Sequence, residues 1–150
     1  MSTYDAPPAF VAKVMNPLLE FLVGTIGFEF KGMRILGIRG RKSGQLRTVP
    51  VNLLIYQGAW YLVSPRGETQ WVRNLRAAGK GELRKGRTRE QFRVAEELID
   101  EKKPAVLRSY LSRWEGQTKA LFGVGADATT EQLAAIAAKH PVFRLIPVVE

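Results

Sequence analysis

The sequence predicts an α+β fold: about six mostly antiparallel strands in a closed or split β-barrel, with helices flanking it. Three observations predict it. Strand-like segments succeed one another through the short turns Gly40–Gln45 and Gln57–Gly58, which make a meander rather than a parallel, nucleotide-binding sheet. Two further strands meet around Gly86, and another forms the C-terminal tail. Four segments with apolar residues three or four apart read as helices around these strands.

The elements follow in order. Ala9 to about Ile26 reads as a helix, with Phe10, Val14, Leu18, Phe21, Leu22 and Ile26 on its apolar stripe and Pro17 kinking it. Three strands follow at Met33–Arg39, Leu46–Tyr56 and Ala59–Ser64, and Pro50 marks a bulge or an edge in the second. Glu68–Ala78 reads as a short helix stopped by Gly79. Glu82–Leu98 supplies the pair around Gly86. Pro104 opens a helix to about Trp114, and Thr129 caps another that carries Leu133 and Ile136. Val142–Val148 is the final strand. The expected organisation is one domain over 1–150, with 1–28 as an N-terminal helical segment and 30–150 as the barrel and its packing helices.

Composition narrows the function. The chain has 150 residues, 45% hydrophobic and 25% charged, enough for one domain with a real core. It has no cysteine and one histidine, so a disulfide scaffold, a thiolate nucleophile and a His-rich zinc site are excluded, and no metal site is expected. The N-terminus lacks the basic-then-apolar order of a secretory signal, and no apolar run is long enough to span a bilayer. The expected location is the cytoplasm, with contact at a membrane surface kept as the alternative for the N-terminal helix.

The charge is segregated. Lys31–Arg93 carries 15 basic and 3 acidic residues, a net of +12; the rest carries 8 basic and 11 acidic, a net of −3, which together recover the chain's +9. The middle of the chain is suited to an anion.

Two motifs lie there. In Gly40-Arg41-Lys42-Ser43-Gly44, followed by Arg47, the glycines let successive amides face one anion while Ser43, Arg41, Lys42 and Arg47 donate to phosphate oxygens. A solvated hairpin turn would use similar residues. In Leu62-Val63-Ser64-Pro65-Arg66-Gly67-Glu68-Thr69-Gln70-Trp71-Val72-Arg73-Asn74, a strand end meets a helix N-terminus. Trp71 and Asn74 share a helix face there, suited to a flat heteroaromatic ligand or, equally, to core packing and loop support. The basic run Lys80–Arg93 reads as the outer face of a hairpin rather than a nucleic-acid surface. His140 reads as a cap or loop residue. No side chain is placed as a nucleophile or general base, so any reactive group belongs to a bound cofactor.

Together the two motifs resemble those of the deazaflavin-dependent nitroreductase family, over about Phe30–Phe92 and more loosely at His140–Arg144. These are split β-barrel oxidoreductases of actinobacteria that use coenzyme F420, an 8-hydroxy-5-deazaflavin bearing a phosphate and a polyglutamate tail. The resemblance implies that Arg41, Lys42, Ser43, Gly44 and Arg47 hold the phosphate and acidic tail. It implies that Val49 and Pro50 line the deazaflavin, that Leu62, Val63, Ser64 and Pro65 meet its ring, and that Arg66, Gln70, Trp71 and Asn74 complete the site. Ser64 is the candidate for a proton or polarising role. Phe21, Tyr110, Trp114 and Phe122 are candidates for an acceptor pocket or for core.

The implied activity is hydride transfer from reduced F420 to an activated alkene, a quinone or a nitroaromatic. The partner would be this small-molecule acceptor and not a nucleic acid, for a monomer or homodimer. The alternatives are an FMN-dependent reductase of the same fold, or a non-catalytic binder of cofactor, lipid or nucleic acid.

Overall fold

A computed structural model describes residues 32–148. The N-terminal helix, its Pro17 kink and Phe21 lie outside the described residues. The chain runs β1 (Met33–Arg39), β2 (Leu46–Tyr56), β3 (Ala59–Val63), α1 (Gln70–Ala78), β4 (Lys80–Lys85), β5 (Thr88–Glu97), α2 (Lys103–Phe122), α3 (Thr130–Ile136) and β6 (Val142–Pro147). The strands form a closed barrel in the order β1-β2-β3-β6-β5-β4, every pair antiparallel.

The long strand β2 changes partner along its length. Leu46–Asn52 pairs with β1, and Leu53–Tyr56 pairs with β3. Pro50 stands opposite Ile35 in unbroken register and, among the described residues, has no strand on its other side, so the edge reading holds there and the bulge reading does not. Proline, lacking an N–H, fits there at no cost in ladder bonds. The ladder's irregularity lies instead between Val94 and Glu96 of β5.

Alternation along the strands divides the core in two. Leu53, Leu62 and Phe143 join Leu36, Leu83 and Phe92 and the α1 residues Val72 and Leu75. Their chain neighbours Leu54, Val63 and Val142 point the other way, into a cluster with Leu107, Leu111, Trp114 and Leu133 of α2 and α3. Both faces of β2, β3 and β6 are therefore covered. Where β4 crosses β1, Gly81 allows close approach: a Cβ there would lie 2.8 Å from the Gly37 carbonyl oxygen and 2.9 Å from the Phe92 ring.

The caps follow the sequence cues. Thr69 Oγ1 accepts from the Val72 amide, and Gly79, at φ 71°, donates to the Leu75 carbonyl, so α1 is one short amphipathic helix. Arg76 clasps Glu68 and Glu97 at 3.0 and 2.8 Å, tying α1 to the end of β5. Thr129 and Gln132 form a reciprocal capping box at α3. The helix opened by Pro104 runs further than expected. It continues to Phe122 through a break at Trp114 (φ −128°, ψ 28°), where the Thr118 hydroxyl donates to the Trp114 carbonyl at 2.9 Å. The sequence reading ended the helix at that kink because its apolar pattern lapses over Glu115–Gln117.

Candidate functional site

A cavity of about 740 Å³ opens between the free edge of β2, the β3–α1 connection and the second half of α2. The turn after β1 forms one wall. Gly40 donates to Gln45 O at 2.8 Å and Gly44, at φ 72°, donates to Gly40 O at 2.9 Å, curling the backbone back on itself. Ser43 Oγ accepts from the Gln45 amide at 3.2 Å, which leaves its own hydrogen for a ligand. The backbone amides of Lys42 and Ser43, the Lys42 ammonium and the Arg47 guanidinium have no partner among the described residues.

Arg41 is different. Its amide and its guanidinium donate to Asn74 Oδ1 at 3.1 and 2.7 Å, and the guanidinium also reaches Gln70 Oε1 at 3.0 Å. Asn74 is only 6% exposed, so its side chain fastens the turn to α1, which is the loop-support reading. Trp71 lies half-buried on the cavity wall, tilted against Phe143 with ring centroids 6.2 Å apart.

Of the expected cofactor residues, Arg41, Lys42, Ser43, Arg47, Val49, Pro50 and the stretch Val63–Arg66 reach the cavity, as do Gln70, Trp71 and Asn74. Two do not. Gly44 shapes the turn from outside, and Leu62 alternates into the barrel core at 0% exposure. Ser64 borders the cavity, but its side chain is wholly buried and its hydroxyl donates to Gly67 O at 2.6 Å. That proton is committed to the β3–α1 turn, which argues against its use as a proton donor. His140 supports the same turn from behind: Nδ1 lies 3.1 Å from Ser64 O and its ring stacks on Phe122 at 4.1 Å. Trp114 and Phe122 belong to the helical core and not to the cavity; of the proposed acceptor aromatics among the described residues, only Tyr110 lines it.

The far end of the cavity carries polar groups that sequence reasoning missed. Asn52 donates to Tyr110 Oη at 3.3 Å and to Gln117 Oε1 at 3.4 Å, beside Thr118 and Leu121. Asparagine inside the apolar run Val51–Ile55 was the signal available. Gln117, Thr118 and Leu121 could not be assigned because they lie beyond the expected helix end, whereas Tyr110 lies within it.

Burial pushes the Tyr110 hydroxyl up to about 12, against a smaller opposing effect of its bond to Asn52. It remains a protonated donor throughout the neutral range. Because the folded value lies above the unfolded one, Tyr110 stabilises the fold fully below pH 10 and loses that contribution as pH rises towards 12. An ultraviolet titration should therefore show a late tyrosine step at about pH 12, and Tyr110→Phe should remove that late step. A late step that survives the substitution would refute the assignment.

Among the described residues the lining contains Arg41, Lys42, Arg47 and Arg66 and no carboxylate. Its field therefore favours an anion, while Val49, Pro50 and Trp71 offer flat apolar contact to an aromatic group. The basic hairpin β4–β5 lies elsewhere, with Arg87, Arg89 and Arg93 exposed to solvent. Among the described residues no helix is long and apolar enough to cross a membrane.

A family model described as F420H(2)-dependent quinone reductase matches residues 14–125. Among curated proteins none matches. Three solved structures share the fold. The Agrobacterium tumefaciens protein Atu2129, of unknown function, is 14% identical with a TM-score of 0.54, over 95% of this chain and 59% of that one. A chain described as a domain-swapped dimer is 17% identical with a TM-score of 0.53, over 94% of this chain and 100% of its own. One described as an F420 reductase is 11% identical with a TM-score of 0.50, over 87% and 93%.

Proposed function

The chain belongs to the F420H(2)-dependent quinone reductase family, and from that premise we propose that its cavity serves hydride transfer from reduced F420 to a quinone, an activated alkene or a nitroaromatic. F420 dependence and oxidoreductase activity come with the family. The observation that carries the reading is a single cavity joining a carboxylate-free basic turn to an apolar wall.

The residues fit the cofactor. A phosphate matches the unpartnered amides of Lys42 and Ser43 and the Ser43 hydroxyl, and an acidic tail matches Lys42, Arg47 and Arg66. Arg41 contributes charge while Asn74 and Gln70 hold it in place. Val49, Pro50 and Trp71 would border the ring, with backbone contacts from Val63–Pro65. When bound, the reduced deazaflavin supplies the hydride. The protein's part is to hold two flat reactants in one cleft and to polarise the acceptor. A cytoplasmic setting is part of this proposal.

Fluorescence titration with oxidised F420, and with FMN in parallel, tests the assignment. F420 should bind and FMN should bind more weakly, because FMN lacks the acidic tail that matches Lys42, Arg47 and Arg66. Tighter FMN binding would overturn the cofactor assignment for this chain. Failure of enzyme saturated with reduced F420 to transfer electrons to any quinone, enone or nitroaromatic would overturn the proposed reaction.

A further inference from the structure

Asn52 follows Arg47 by five positions on β2, roughly 16 Å along an extended strand, so the two mark distant parts of the cavity wall. The amide of Asn52 uses its nitrogen twice, towards Tyr110 and Gln117, while its Oδ1 is buried with no hydrogen-bond partner among the described residues. Tyr110, only 2% exposed, accepts from Asn52 and has no acceptor for its own hydrogen among the described residues. Turning the amide over would let Tyr110 donate to Oδ1, but it would leave both amide N–H groups and a phenol lone pair unused and set Oδ1 against Gln117 Oε1. In either orientation the pair presents at least one unfilled donor and one unfilled acceptor. Buried polar groups are seldom left this way unless a ligand or an ordered water completes them.

One atom able to complete both is a hydroxyl oxygen, which accepts one bond and donates another. A carbonyl oxygen can complete only the donor. We propose that Asn52 and Tyr110 form an oxygen subsite for the acceptor, specific for conjugated carbonyl compounds whose oxygen becomes a hydroxyl on reduction. A quinone oxygen makes one bond to the pair, and the corresponding hydroquinone oxygen makes two. The subsite therefore favours the reduced form and the approach to it. Ethers and hydrocarbons of the same outline leave the buried groups unfilled and bind less well. The persistence of the Tyr110 proton at neutral pH is consistent with its role as donor. This inference rests on the proposed reductase function for its substrate class, but the hydroxyl preference itself requires no turnover.

Calorimetric titration of the full chain with oxidised F420 present tests it, using 2-naphthol and 2-methoxynaphthalene as probes. The two are alike in outline, but only the first can donate. The native protein should bind 2-naphthol about tenfold more tightly, as expected for one hydrogen bond in a buried site. Tyr110→Phe keeps the ring that packs 4.9 Å from Trp114 and 5.8 Å from Phe122, and Asn52→Leu removes the other partner. The double variant, Tyr110→Phe with Asn52→Leu, should bind the two probes equally while retaining F420 affinity. With menadione as acceptor, Tyr110→Phe should lower kcat/KM by about tenfold. Equal binding of the probes by native protein, or undiminished discrimination in the double variant, would overturn the subsite. Discrimination by a native protein that reduces no acceptor would support the subsite and overturn the reductase reading instead.

Discussion

Replacing Arg41, Lys42 and Arg47 together by alanine is expected to weaken F420 binding about a thousandfold or more while leaving the barrel folded. Each charge-assisted bond to a phosphate or carboxylate is worth roughly 1.5–3 kcal/mol, so two or three of them account for that loss. All three side chains are exposed, and Lys42 and Arg47 have no partner among the described residues, so their removal costs the fold little. Arg41 is the exception within the set. Its guanidinium bonds to Asn74 and Gln70 go with the substitution, while its backbone bond to Asn74 remains to hold the turn. Titration with F420, read beside circular dichroism, separates the two effects. Native-like affinity in a folded triple variant would remove the turn from the cofactor site, and unfolding would make these residues structural.

The second large effect concerns stability. Gly81→Ala should destabilise the protein by about 2–4 kcal/mol, in the upper range for single substitutions, through overpacking. The added Cβ would meet the Gly37 carbonyl at 2.8 Å and the Phe92 ring at 2.9 Å. The carbonyl belongs to the paired strand β1 and cannot retreat without breaking the β1–β4 seam that closes the barrel. Substituting Gly116 by alanine is the control, since a Cβ there meets nothing within 4 Å. Thermal denaturation should show a large fall in Tm for the first and little change for the second. Equal melting temperatures would mean that the seam yields more easily than its packing implies.

Much of the barrel was legible because local signals carry it. Strands β1 and β2 have the expected bounds since glycine turns delimit them, and Thr69, Gly79 and Thr129 mark helix ends by capping chemistry that needs no tertiary context. The second half of α2 was not legible. Its helical state depends on packing against β2 and on the Thr118–Trp114 bond across the kink, neither of which leaves a periodic trace. The basic turn and the Trp71 helix were readable as two motifs. The fastening of one to the other by Arg41 and Asn74, 33 positions apart, was not, because spacing reports neighbours only within one element. The bond from the Ser64 hydroxyl to the Gly67 carbonyl was not legible either, because the closure of a turn is not marked by residue type.

The position of β6 bears on how the chain is made. It follows every other described strand in chain order, yet it lies between β3 and β5 and pairs with both. A ribosome therefore releases β1 to β5 with two open edges that β6 seals. Until Val142–Pro147 emerges, β3 and β5 are exposed to pairing with other chains, a hazard that bare strand edges carry in any nascent protein. Shortening β6 would open both of its seams at once. The cavity walls between residues 40 and 74 are synthesised well before the strand that makes them permanent.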